Sequence, residues 1–194
     1  MHPLLKPVTA MRLDAYNNRG FSRGRPAWVE CLWLAMQALF IRSPFPGSAH
    51  RRVILRLFGA RIGKGVTIKP GLRVKFPWRL TVGDYCWLGE DLWIDNLADV
   101  AIGSHCCLSQ DVYLCTGNHD WSAPGFDLRV APITVCDHVW IAARAVVAPG
   151  VTVGEGSILA LGSIATKTTS PWTIHAGNPA QPVKKRTELA SARV

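Results

Sequence analysis

The sequence predicts an all-β fold, a solenoid of very short parallel strands wound into about five coils. The first observation is a period of six. Apolar residues stand at Ile62, Ile68, Val74, Val82, Leu88, Ile94, Ile102, Leu108 and Leu114; the series resumes at Val135, Ile141, Val147, Val153 and Leu159 and closes at Ala165. Six matches neither a 3.6-residue helix nor plain alternation, but it suits stacked strands joined by tight turns. The second observation is a small or β-branched residue four places after most of these, as at Val66, Cys86, Cys106, Val139, Ala145, Ser157 and Ser163, often with Gly directly after the apolar residue. The third is where the rhythm breaks. Spacing stretches to eight at Val74–Val82 and at Ile94–Ile102, and much further at Leu114–Val135, each time after three regular strands. With three strands to a coil, all three insertions leave at one corner, and insertions along one edge of a solenoid commonly build its binding surface.

Residues 1–58 read as an N-terminal helical cap. Pro26 opens an almost wholly apolar helix over Ala27–Ile41, too short for the roughly 20 residues that span a bilayer. A second helix over Ser48–Phe58 has Ser48 as its N-cap, Gly59 as its stop, and Arg51, Arg52 and Arg56 on its wet face. These helices either cover the open end of the first coil or touch a membrane surface through Trp28, Trp33, Phe40 and the nearby arginines. Residues 59–170 form the β-helix domain, with a long loop at 115–134. Residues 171–194 read as a polar, basic tail running over the surface.

With 194 residues the chain makes one domain with a sizeable core. Its net charge of +9, with arginines concentrated before residue 57, points to anionic partners, but no nucleic-acid motif accompanies the charge. The six cysteines show no CxxC spacing, so neither a zinc site nor a disulfide framework is expected. Reduced thiols and the lack of a signal peptide predict a cytoplasmic protein, including the inner face of the cell membrane.

Beyond the period, specific segments resemble a known family. Leu114-Cys-Thr-Gly-Asn-His-Asp120, Val139-Trp-Ile141, Pro149-Gly-Val-Thr-Val-Gly154 and Ala176-Gly-Asn-Pro-Ala180 resemble the hexapeptide-repeat sugar O-acetyltransferases. Asp95-Asn96-Leu97 and the Arg/Trp-rich N-terminus resemble in particular their colanic-acid or exopolysaccharide-biosynthesis type. The resemblance implies a left-handed β-helix, a homotrimer, acetyl-CoA as donor, and as acceptor a nucleotide sugar or lipid-linked saccharide.

It also implies roles. His119 matches the general base that takes the proton of the attacking sugar hydroxyl, a function worth ~10²–10⁴ in rate. The backbone N–H of Ala143 matches the oxyanion donor. Trp140 packs beside the reacting centre, and Asp95, Asn96 and Asp120 are the acceptor-contacting candidates. The cofactor is implied to lie along Ala143, Leu161 and Thr166, with Lys167, Lys184 and Lys185 near its phosphates. One departure is Gly89, where several relatives carry an acceptor-binding Asn. Two other classes remain in view: a non-catalytic β-helix scaffold, and a zinc hydratase of the γ-carbonic-anhydrase kind, for which His105, His119 and His138 lack the usual close spacing.

Overall fold

In the computed structural model, which describes residues 10–186, the six-residue rhythm becomes a left-handed parallel β-helix. The first coil is β1 (Arg61–Ile62), β2 (Thr67–Ile68) and β3 (Arg73–Val74). The second is β4 (Leu80–Val82), β5 (Trp87–Leu88) and β6 (Trp93–Asp95), and the third β7 (Val100–Ile102), β8 (Cys107–Leu108) and β9 (Tyr113–Cys115). A hairpin of β10 (Gly117–His119) and β11 (Leu128–Val130) then leaves the prism. The fourth coil is β12 (Ile133–Val135), β13 (Trp140–Ile141) and β14 (Val146–Val147), and the fifth β15 (Thr152–Val153), β16 (Ile158–Leu159) and β17 (Ile164–Ala165). Strand β18 (Thr173–Gly177) begins a sixth turn, and β19 (Ala180–Lys185) runs back antiparallel along it.

First strands of successive coils stack as one face of the prism, β1-β4-β7-β12-β15; the second face is β2-β5-β8-β13-β16-β18-β19 and the third β3-β6-β9-β14-β17. The register is strict. Ile62, Val82, Ile102, Val135 and Val153 form one inward column, Ile68 to Leu159 a second, and Val74 to Ala165 a third. All fifteen predicted repeat positions are buried. Each fully buried aliphatic contributes roughly 1.5–3 kcal/mol.

Parallel stacking leaves the outward-facing backbone groups of the first coil without a strand partner. Side chains from the N-terminal helices α1 (Ala27–Met36) and α2 (Ala49–Leu57) take that place. Trp33 Nε1 donates to the Val74 carbonyl at 2.8 Å and Gln37 Oε1 accepts from the Val74 N–H at 2.6 Å. The Ser48 hydroxyl accepts from the Ile68 N–H at 2.8 Å and donates to the Ile68 carbonyl at 3.2 Å. Arg52 donates to the Val66 carbonyl, and Arg56 to those of Ile62 and Gly63. The capping role is therefore carried by specific hydrogen bonds.

Several sequence expectations change here. Ser48 makes no cap bond to α2, because its hydroxyl serves the β2 edge instead. Arg51 is fully buried rather than wet; its guanidinium collects the carbonyls of Ile41, Ser43, Phe45 and Gly47 and ties down the link between the helices. Trp33 is buried, which removes it from any membrane-facing set. Helix α1 widens into a π-helical turn over Gln37–Ile41. Residues 10–25 are not part of the cap. They form a strap across the corner that carries the insertions, with Trp78 Nε1 donating to the Arg23 carbonyl and Phe21 stacking on Phe76. Within the tail, 173–185 take strand form and extend the second face, while 187–194 lie outside the described residues.

Two measurements check these assignments. A chain lacking residues 1–58 uncovers the β1–β3 edge and is expected to aggregate; a soluble, stable truncation overturns the capping role. His175 on β18 is buried, donates from Nδ1 to the Thr173 carbonyl and accepts the Ser170 N–H on Nε2, so it is held neutral. Burial, and secondarily Lys185, lowers its pKa below the usual 6.5. A histidine so depressed leaves the fold unaffected above that value and destabilises it as pH falls below it, because the unfolded chain then binds the proton more readily. Thermal melting should decline between neutral pH and pH ~5, and His175→Gln should flatten that decline.

Candidate active site

The insertions do leave at a single corner, between the third and first faces. Phe76–Arg79, Leu97–Asp99 and the arm 116–132 stack there on consecutive coils, and the base of the arm is stitched to the coil below by Thr116 N–H to Asp95 O (3.2 Å) and Ile133 N–H to Asp99 O (3.0 Å). His119 is the last residue of β10 and is half-buried. Its Nδ1 lies 2.8 Å from the Phe126 carbonyl. A carbonyl only accepts, so Nδ1 carries a proton, and in the neutral imidazole Nε2 is then the acceptor. The ring stacks on Phe126 with centroids 4.2 Å apart and planes 2° apart, and Tyr16 of the strap closes from another side at 5.8 Å. The imidazole is thus fixed in orientation, with no carboxylate partner among the described residues. Neither Phe126 nor Tyr16 was visible as a site residue in the sequence, because nothing local marks which loop carbonyl or which distant aromatic the ring will meet.

Asp120 points elsewhere. Its carboxylate accepts from the Ser122 N–H and hydroxyl and pairs with Arg129 across the hairpin, and these partners, Ser122 foremost, hold its pKa below the usual carboxylate range. It shapes the arm and does not touch His119. Asn96 is buried; its Oδ1 accepts the Phe76 N–H at 2.9 Å and its Nδ2 donates to the Phe76 carbonyl at 2.7 Å. It bonds one coil to the next and has no side chain in the solvent for a sugar, a correction to its expected contact role. Asp95 remains near the surface of the third face, 3.5 Å from Lys75 Nζ and 3.3 Å from the Tyr113 hydroxyl. Burial first, then Cys115 and Asp95, raise the Tyr113 pKa, so the phenol stays a donor.

The remaining expected residues sit apart from His119 on this chain. Trp140 is half-exposed on the second face and donates to Ser109 Oγ at 3.1 Å. Ala143 and Leu161 occupy the corner between the second and third faces, linked by Gly162 N–H to Ala143 O at 2.9 Å. Among the described residues the Ala143 N–H donates to no protein acceptor. Thr166 and Lys167 lie exposed at the corner of the arm, and Lys184 and Lys185 on β19, the outer edge of the second face. A shallow cleft of about 300 Å³ beside Trp140 is lined by Lys69, Trp87, Gly89, Glu90, Cys107, Ser109 and Gln110. The Gly89 departure has a steric cause: a Cβ there would stand 2.5 Å from the Ser109 carbonyl carbon of the next coil.

No family model matches the chain. Over 170 residues, 88% of this chain and 93% of the other, it is 38% identical to a protein of Escherichia coli K12 assigned by name to colanic acid biosynthesis, the acetyltransferase WcaF. This chain belongs to the WcaF type of hexapeptide-repeat acetyltransferases. Among solved structures, a hexapeptide-repeat acetyltransferase of Vibrio cholerae crystallised with acetyl coenzyme A covers 84% of this chain and 89% of its own at TM-score 0.74 and 21% identity. A maltose O-acetyltransferase of Clostridium difficile covers 84% and 88% at TM-score 0.73 and 24% identity. At those identities the likeness shows the fold.

Membership in the WcaF type makes the chain an acetyltransferase and sets aside the scaffold and hydratase classes. The three histidines of the hydratase alternative do not converge. His105 and His138 stack at 5.3 Å in a ladder that runs from Tyr85 to Trp172 along a different corner. Trp121, 81% exposed on the arm between β10 and β11, carries no local pattern that marks it in the sequence. The separate jobs of His119 and Asp120 can be distinguished. Asp120→Asn keeps the Ser122 contact and weakens the Arg129 pair, so it should lower acetyl transfer several-fold at most, well short of the loss in His119→Ala. Equal losses in the two variants would show that Asp120 acts on the reacting atoms.

Proposed function

We propose that the enzyme transfers an acetyl group from acetyl-CoA to a sugar hydroxyl in surface-polysaccharide synthesis, with His119 as general base. The observation that carries this is the ring of His119: Nδ1 is occupied, Nε2 is free, and the imidazole is clamped on an arm that projects from the prism. In the reaction the hydroxyl oxygen attacks the thioester carbonyl while Nε2 takes its proton. A C–O bond forms, the C–S bond breaks, and the proton returns to the departing thiolate. The developing oxyanion needs a preorganised donor, and the unpaired N–H of Ala143 is suited to that task.

His119 and Ala143 stand on different corners of one prism, so a single chain does not assemble both halves of the site. A second copy that brings its Ala143 corner against this arm supplies the missing half, and a closed ring of such head-to-tail contacts is a cyclic oligomer. A homotrimer satisfies this with one site at each interface. The donor then runs along Ala143 and Leu161, with Thr166, Lys167, Lys184 and Lys185 as the remaining candidates beside its phosphates. Trp140 and Asp95 are the acceptor-side candidates. The acceptor is a nucleotide sugar or a lipid-linked saccharide, and the colanic acid name of the relative favours a polysaccharide precursor.

The test uses labelled acetyl-CoA, a panel of sugar acceptors and mass spectrometry. His119→Ala is expected to bind acetyl-CoA, keep its oligomeric mass and lose at least ~10² in transfer. Ala143→Pro removes the amide donor and should lose a similar factor. Neither variant is active alone, but coexpression should restore about a quarter of the sites if each site takes one residue from each of two chains in a ring. Near-normal transfer by His119→Ala rules out the base, and absence of complementation between two folded variants rules out the shared site.

A further inference from the structure

The N-terminal helices close the solenoid with their inner sides only. On the outer side of α1 and the π turn that follows it, Trp28 is 69% exposed, Leu32 49% and Leu39 64%, and Phe40 and Phe45 nearby in sequence are exposed as well. Trp28 and Leu32, four residues apart in α1, share one outward stripe, and Leu39 is exposed beyond them on the π turn. Between Ala27 and Ile41 the sole ionised side chain is Glu30, and it is turned away, paired with Arg23 at 2.9 Å. Cations bracket the stripe. Arg25 precedes α1 and Arg42 follows the π turn, both exposed. Of the eight arginines in residues 10–58, Arg12 and Arg23 pair with the two acids, Arg51, Arg52 and Arg56 are held by backbone carbonyls, and Arg19, Arg25 and Arg42 are left exposed to solvent. No helix among the described residues is long and apolar enough to cross a membrane.

We infer that this stripe is a docking surface for an anionic lipid bilayer, with α1 lying in the plane of the interface. An aqueous surface gains nothing from an exposed Trp-Leu-Leu stripe, whereas a helix with one apolar side and flanking cations settles at the headgroup boundary. The cation-rich end selects anionic over neutral lipid, since each basic side chain near a charged leaflet adds attraction that salt screens. The capping bonds stay intact on docking, because Trp33, Gln37, Ser48, Arg52 and Arg56 all work on the opposite side of the helices. Docking places the solenoid with its first coil toward the lipid.

The experiment is cosedimentation of the full chain with phosphatidylcholine vesicles, with and without phosphatidylglycerol. The unmodified protein is expected to bind the anionic vesicles at least tenfold more strongly than the neutral ones, and to be released by high salt. Trp28→Asp combined with Leu32→Asp, and separately Arg42→Glu, should each reduce binding at least tenfold while leaving acetyl transfer to a water-soluble acceptor unchanged. Leu39→Ser gives a milder second probe of the stripe with little risk to folding. Failure of the unmodified protein to bind anionic vesicles overturns the inference. So does a fall in oligomeric mass for the Trp28→Asp, Leu32→Asp protein, which would make the stripe a contact between copies of the chain.

Discussion

In a parallel solenoid every coil lends its outward backbone groups to the next coil, so the unmet hydrogen bonds collect at the two ends. This constraint organises the molecule. Within the stack, N–H groups of one coil meet carbonyls of the next with few exceptions, as from Gly63 to Val82 and from Gly83 to Ile102. At the first coil the deficit is met mainly by side chains, an indole, an amide, a hydroxyl and two guanidinium groups, with a backbone bond from the Gly71 N–H to the Arg42 carbonyl at 3.3 Å. At the last coil it is met by backbone, where β18 pairs with β16 and β19 folds back over β18. An unmet buried backbone group costs about 1–3 kcal/mol, so both closures matter as much as the aliphatic columns between them.

The interior was legible in the sequence because its physics repeats. Ile68, Leu88, Leu108, Ile141 and Leu159 occupy one environment five times over, and a period is visible where a single position is not. The corner of the insertions was legible for the same reason, as a break in the repeat. What was not legible depended on one-off contacts. Arg51 looks like any arginine on an amphipathic helix, and only the path of Ser43–Gly47 around it makes burial favourable. Asn96 sits at a turn by composition, yet its amide is pinned between two coils by register with Phe76. Handedness came from resemblance, since a six-residue period is silent on it.

The site divides along the same line. His119 was marked by its motif, but its orientation is set by a carbonyl seven residues on and by two aromatic rings, one of them on a strap more than a hundred residues earlier. Orientation by a carbonyl rather than a carboxylate holds the ring without placing a negative charge beside it. Asp120, one residue past the end of β10, is committed to Ser122 and Arg129.

The stitching at the base of the arm has an evolutionary consequence. Thr116, where the arm leaves, and Ile133, where it returns, are fastened to Asp95 and Asp99, so the third and fourth coils remain in register whatever the length of chain between them. Loop length is a weak variable in free energy, about 0.6 kcal/mol for each doubling. Mutation can therefore lengthen, trim or rewrite this arm while the coils beneath it stay intact. Diversification of what the enzyme meets is uncoupled from the inheritance of its frame.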